Sequence, residues 1–170
     1  MSTSIRIVFL FLIFTACSQT ESRGEKERKN LKSTLAYVDV VWNNKDLKNI
    51  GQYFSDQFTR DVNNIETAKN LVELTAIFNI YFTAFPDLHF TIEQITPVDN
   101  QIFMNWNITG TNTGVFGDVP ATGKKVQING ITRLDFDELG QIMHQTIFYT
   151  ELALLQQLGY ALDRPKTELP

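Results

Sequence analysis

Ala84-Phe85-Pro86-Asp87-Leu88-His89-Phe90-Thr91-Ile92 is the stretch in which the chain changes its hydrophobic period. Before it, Leu71, Leu74, Phe78, Phe82 and Phe85 recur at helical spacing, and Val72, Ala76, Ile77 and Ile80 widen the stripe. So wide a stripe predicts a helix buried on more than one side. Pro86 ends it, because proline lacks an N–H and disfavours helical geometry in the residue before it. Beyond Pro86 the period is two: Leu88, Phe90 and Ile92 alternate with polar neighbours, as in a strand with one buried face.

Upstream, Asn63 with Glu66 three residues on predicts the start of that helix through a capping box. Leu31, Leu35, Val38 and Trp42 mark one face of an earlier helix, and the segment from Asp46 to Val62 is expected to hold a short helix and a short strand. Downstream, Asp99-Asn100 signals a hairpin turn, followed by a strand over Gln101 to Thr113. A glycine-rich loop, Gly114 to Gly123, leads to a strand of Lys125 to Asp135. Leu139-Gly140 turns into a last strand, Gln141 to Thr150. A short helix, Glu151 to Leu158, then ends on Gly159 as a left-handed cap. Helices followed by an antiparallel meander define an α+β domain.

At 170 residues and 43% hydrophobic content, the chain can bury the core of one domain. A net charge of −4 argues against nucleic acid, whose recognition needs clustered surplus Lys and Arg. His89 and His144 lie far apart in sequence and the single cysteine is elsewhere, so no metal-ligand spacing can be read, and no cofactor is expected.

Ile7 to Phe14 is an unbroken apolar run after Arg6 and before Thr15-Ala16-Cys17, the order of a secretory signal. Eight apolar residues rising about 1.5 Å each cannot cross about 30 Å of hydrocarbon. Phe14-Thr15-Ala16-Cys17 resembles a bacterial lipobox, which implies lipidation at Cys17, a membrane anchor and, with Ser18 following, an outer-membrane location. The expected organisation is therefore a signal at 1–16, a lipidated Cys17 with a flexible polar tether to 30, a domain at 31–160 and a tail at 161–170.

Glycine-rich GDVPATGKK, from Gly117 to Lys125, nearly copies a phosphate loop. Five residues separate its glycines where four are needed, and Lys125 stands where a Mg²⁺-binding hydroxyl is required. On the last strand, His144, Thr146, Phe148 and Thr150 share one face, and Met143, Gln145, Ile147 and Tyr149 the other. His144 and His89 are the candidate acid–base groups, because imidazole titrates near neutrality. Phe78, Phe82, Trp106 and Phe148 are candidate walls for a small, largely apolar ligand.

AFPDLHFTIEQI, GTNTGVFGDVPATGKKV and the terminal LLQQLG, in this order, resemble the SnoaL-like polyketide cyclase, or ester cyclase, family. The resemblance implies a nuclear transport factor 2-like cone: a curved antiparallel sheet wrapped around N-terminal helices, enclosing a pocket. It also implies a cyclase in which a carboxylate removes a proton beside an ester carbonyl and the enolate attacks a second carbonyl. By the resemblance, the family's pocket Trp maps to Thr146, its acid–base Asp to Thr150 and its His to Asn112. Threonine has no titratable group, so the resemblance implies fold and pocket more firmly than it implies a reaction. A non-catalytic ligand binder and a homodimerising module are the rival expectations.

Overall fold

The computed structural model describes residues 22–162, so the signal segment, Cys17 and most of the tail lie outside the described residues. Helix α1 spans Arg23–Tyr37 and continues as a π-helical turn, Val38–Asn43. A short 3₁₀ turn, Ile50–Gln52, leads into strand β1, Phe54–Val62, and strand β2, Ile65–Ala68. Helix α2, Leu71–Ala84, precedes β3, His89–Val98, β4, Gln101–Thr111, β5, Lys125–Phe136, and β6, Ile142–Tyr149. Helix α3, Glu151–Leu158, closes the domain on Gly159, whose φ of 107° is the left-handed cap expected of it.

The six strands form one curved, unclosed sheet in the order β2-β1-β6-β5-β4-β3. Strands β3 to β6 are the antiparallel meander that the sequence predicts. The sheet as a whole is mixed, because β1 pairs with β6 in parallel. Three single-residue bulges kink it, and β1 also breaks register against β6 between Phe54 and Thr59. Glu93 is the extra residue of β3 against β4, Met143 that of β6 against β5, and Thr67 that of β2 against β1. Such insertions bend a strand and raise its local twist, which is how a sheet comes to curve around a core. On the concave side, α1 crosses β3 and β4 while α2 packs on β1 and β2.

Two expectations about the helices change. Residues 63–64 are a hairpin turn between β1 and β2, with φ of 51° at Asn63 and 66° at Asn64, so they do not cap a helix. The cap is Asn70, whose side chain accepts from the Glu73 N–H at 3.0 Å, and Glu73 in turn accepts from the Lys69 N–H at 2.8 Å. The same Asn-x-x-Glu spacing thus occurs twice, and only the second copy caps. Along α2 only one flank is buried: Val72 and Ile80 are exposed. The wide stripe did not require burial on two sides.

The N-terminal helix starts at Arg23, within the segment read as a tether to residue 30. Glu25 accepts from the Ser22 N–H at 3.0 Å, and Arg23 pairs with Glu27 one turn on. Lys26 reaches Glu138 on the β5–β6 turn, and Glu27 accepts from the Asp99 N–H, so the polar residues dock the helix on two hairpin tips. Of the expected stripe, Val38 and Trp42 are buried, Leu31 is half-buried against the core and Leu35 is exposed, and Asn30, Thr34, Tyr37 and Val41 complete the inward face. Thr34 meets the core because its hydroxyl is satisfied by the Asn30 carbonyl at 2.9 Å.

Candidate functional site

Between the helices and the concave sheet lies a narrow, partly open cavity of about 30 Å³, lined by Trp42, Arg60, Tyr81, Phe90, Met104, Trp106, Ile108, Ile128, Thr132, Gln145, Ile147 and Tyr149. The π-helical turn presents Trp42, whose indole N–H donates to the Tyr37 hydroxyl at 2.8 Å. Rings run around the wall: Trp42 to Phe90 at 5.2 Å, Phe90 to Trp106 at 5.5 Å, Trp106 to Tyr149 at 6.2 Å. Trp106 lies against the backbone of Gly130, where any Cβ would fall inside the indole ring, and its N–H donates to Thr132 Oγ1 at 2.9 Å.

The polar groups in the cavity are few: Arg60 and Gln145 are cross-strand neighbours on β1 and β6, Tyr149 is on β6, Tyr81 is on α2, and Thr132 on β5 is held by Trp106. Tyr81 and Tyr149 share a hydroxyl–hydroxyl hydrogen bond of 3.0 Å. Burial raises the pKa of both phenols, and for Tyr149 the neighbouring Tyr81 adds to the rise. Both therefore stay protonated near neutral pH and serve as donors, not bases. Tyr37, just behind the wall, is pushed up to about 12 by its complete burial. Arg60 is the one permanent charge among the lining residues. It is 7% exposed, and its Nη1 donates to Thr67 Oγ1 at 3.0 Å. The bulge places Thr67 there, and the Thr67 hydroxyl donates back to the Arg60 carbonyl at 3.3 Å. Burial lowers the Arg60 pKa, while the Tyr81, Tyr37 and Tyr149 hydroxyls favour the charge.

Of the expected site residues, Trp106 lines this cavity. The face expected to carry the pocket on β6 is the outer one: Gln145, Ile147 and Tyr149 point inward, leaving Thr146, Phe148 and Thr150 outside. Thr150 is the exposed N-cap of α3, Phe148 is 46% exposed, and Thr146 accepts from Arg133 on the outer face. His144 also faces outward, with Nδ1 2.7 Å from Thr59 Oγ1 and Nε2 3.4 Å from Asp61. His89 is exposed at the start of β3.

Phe78 and Phe82 stand one layer behind the cavity, backing Trp42 at 4.9 and 6.0 Å. Asn112 is completely buried but belongs to the loop. Its amide donates to the Ala84 and Gly114 carbonyls, and its oxygen accepts from the Thr122 N–H and hydroxyl. Asp87 accepts from the Thr111 N–H and hydroxyl, tying the turn after α2 to the end of β4. The phosphate-loop lookalike runs into β5 without an intervening helix. Among the described residues, no group of His, Cys, Asp and Glu has metal-site geometry.

Sequence reasoning missed Arg60, and a signal for it exists. Phe58, Arg60 and Val62 alternate with Thr59 and Asp61, so the arginine occupies the apolar register of a strand.

A helix-packed, curved open sheet with an apolar cavity beneath the helices is the cone of the nuclear transport factor 2-like class. Within that class, residues 33–158 match the model of the SnoaL-like polyketide cyclases, and the chain belongs to that family. A candidate SnoaL-like polyketide cyclase from Jannaschia sp. CCS1 superposes with a TM-score of 0.73 at 21% identity, covering 83% of this chain and 99% of that one. AclR of Streptomyces galilaeus, a candidate hydroxylase, gives 0.67 at 24% identity over 85% and 87% of the two chains. A SnoaL-like polyketide cyclase from Agrobacterium tumefaciens strain C58 gives 0.62 at 22%, over 76% and 98%. At these identities the likeness is one of fold. None of the curated proteins matches the chain.

Proposed function

We propose that this chain binds a small, largely apolar molecule in the cavity between its helices and sheet, without carboxylate-driven cyclase chemistry. One observation carries the reading. The lining residues are mostly aromatic and aliphatic, and their polar members are Arg60, Tyr81, Thr132, Gln145 and Tyr149. No lining residue is an acid or a histidine, so the enolising base that a cyclase of this family uses has no counterpart there. Thr150, to which the resemblance maps the family's acid–base Asp, neither titrates nor faces the cavity.

Both tryptophans of the chain, Trp42 and Trp106, line the cavity, so intrinsic fluorescence reports its occupancy. A neutral aromatic probe, 3-phenylpropanol, should change that emission saturably. Ile128→Phe, which adds bulk to the cavity wall, should weaken the effect at least about tenfold, equivalent to about 1.4 kcal/mol. A wild-type protein whose emission and calorimetric titration are both indifferent to the probe would refute the reading.

A further inference from the structure

Arg60 poses a question that an apolar ligand does not answer. A guanidinium taken out of water is costly unless an opposite charge or a full set of acceptors compensates it. Its one side-chain hydrogen bond is to Thr67 Oγ1, and the groups that perturb it are tyrosine hydroxyls. Among the described residues, no carboxylate forms an ion pair with it. The nearest acid in sequence, Asp61, follows it on the strand, lies on the outer face and faces His144 there.

The cavity therefore holds a largely buried cation with no ionic partner among the described residues, whose unused donors keep a trace of solvent contact. Around it are two phenols that remain protonated and Gln145, its cross-strand partner on β6. Farther along the sheet, β4 and β3 supply Met104, Trp106, Ile108 and Phe90. Charge at one end and hydrocarbon at the other describe the complement of an amphipathic anion.

We propose that the cavity's ligand is a small monocarboxylic acid with an aromatic or aliphatic body, its carboxylate held by Arg60 with the Tyr81–Tyr149 hydroxyl pair. Arginine suits this role because its planar fork matches a carboxylate and donates two parallel hydrogen bonds. The bulge at Thr67 fixes one side of the fork through Nη1, leaving the remaining N–H groups for the ligand. The inference rests on the cavity being a binding site and adds the chemical class of what enters it.

The test compares 3-phenylpropionate with 3-phenylpropanol, which share a body and differ at the head, by tryptophan fluorescence and calorimetry. Wild-type protein should bind the carboxylate at least about tenfold more tightly, a difference of about 1.4 kcal/mol. Arg60→Gln should abolish that preference by weakening the carboxylate more than the alcohol; Arg60→Lys, which keeps the charge but not the fork, should retain part of it. Equal affinities in the wild type, or a preference that survives in Arg60→Gln, overturn the anion assignment and leave the cavity reading standing. Binding of neither compound overturns both. The wild-type ratio needs no variant, so a poorly folding Arg60→Gln protein does not rescue the proposal.

Discussion

Asn112 is a buried polar residue with a structural task in the fold. It is fully buried, and each of its side-chain atoms capable of hydrogen bonding is used by the backbone or by Thr122. Those bonds fasten the 114–123 loop to the C-terminal end of α2. Asn112→Ala leaves the Gly114 carbonyl and the Thr122 donors without that partner, each costing about 1–3 kcal/mol where water cannot reach, whereas the Ala84 carbonyl keeps the Gly114 N–H. Partial relaxation of the loop brings the expected net loss to about 2–4 kcal/mol. It should appear as a lower urea midpoint with an unchanged slope, and 3-phenylpropanol affinity in the folded protein should be unaltered. A large loss of affinity at undiminished stability would place Asn112 in the binding machinery after all. Arg60 is the converse case. Its buried charge has no ionic partner in the fold, so Arg60→Met, with similar volume and no charge, should hold or raise the melting temperature while removing the carboxylate preference. A melting temperature several degrees lower would make Arg60 a structural residue.

The elements after Pro86 were legible because each carries its own local instruction. The Asp99-Asn100 turn, the alternation along β3 to β6 and the Gly159 cap act over a few residues, and the structure places them within one or two positions of expectation. What sequence could not show depends on contacts distant in the chain. Whether Asn63 or Asn70 caps α2 is decided by the β1–β2 hairpin, which needs a turn at 63–64. Which face of β6 looks inward is decided by its neighbours. Alternation separates Gln145, Ile147 and Tyr149 from Thr146, Phe148 and Thr150, but says nothing about which set meets the helices. The first helix was missed over 23–30 for a related reason. Its residues are polar, and what orders them is docking onto Asp99 and Glu138, more than 70 residues away. A chain beginning at Leu31 should therefore be less stable than one beginning at Ser18. The lost cap, the buried Asn30 and the ion pairs together are worth about 1–3 kcal/mol, most of it from the cap and Asn30, since exposed pairs contribute little. Identical denaturation curves for the two chains would mean that the 23–30 turns are ornamental.

The early start of α1 also changes how the whole molecule would sit at a membrane. We propose that Cys17 carries the lipid anchor that its Phe14-Thr15-Ala16-Cys17 context suggests. Five residues, 18–22, then separate the anchor from the first residue of a docked helix, rather than the thirteen residues of a tether to position 30. Six Cα-to-Cα steps span at most about 20 Å. The domain would ride directly on the bilayer surface, close to where small apolar acids partition. Two or more acyl chains, at about 0.8 kcal/mol per buried CH₂, hold such a domain stably, and among the described residues no helix is long and apolar enough to span. Cys17→Ser should therefore move the protein from the membrane to the soluble fraction after cell lysis, with its melting temperature and 3-phenylpropionate affinity unchanged. Lengthening the 18–22 segment by about twenty flexible residues should leave it membrane-bound but make Arg23 and the α1 amine groups more accessible to a water-soluble protease and to bulky labels. Retention of Cys17→Ser in the membrane fraction would refute the anchor. Equal accessibility in the short and lengthened forms would refute the close seat on the membrane while sparing the anchor.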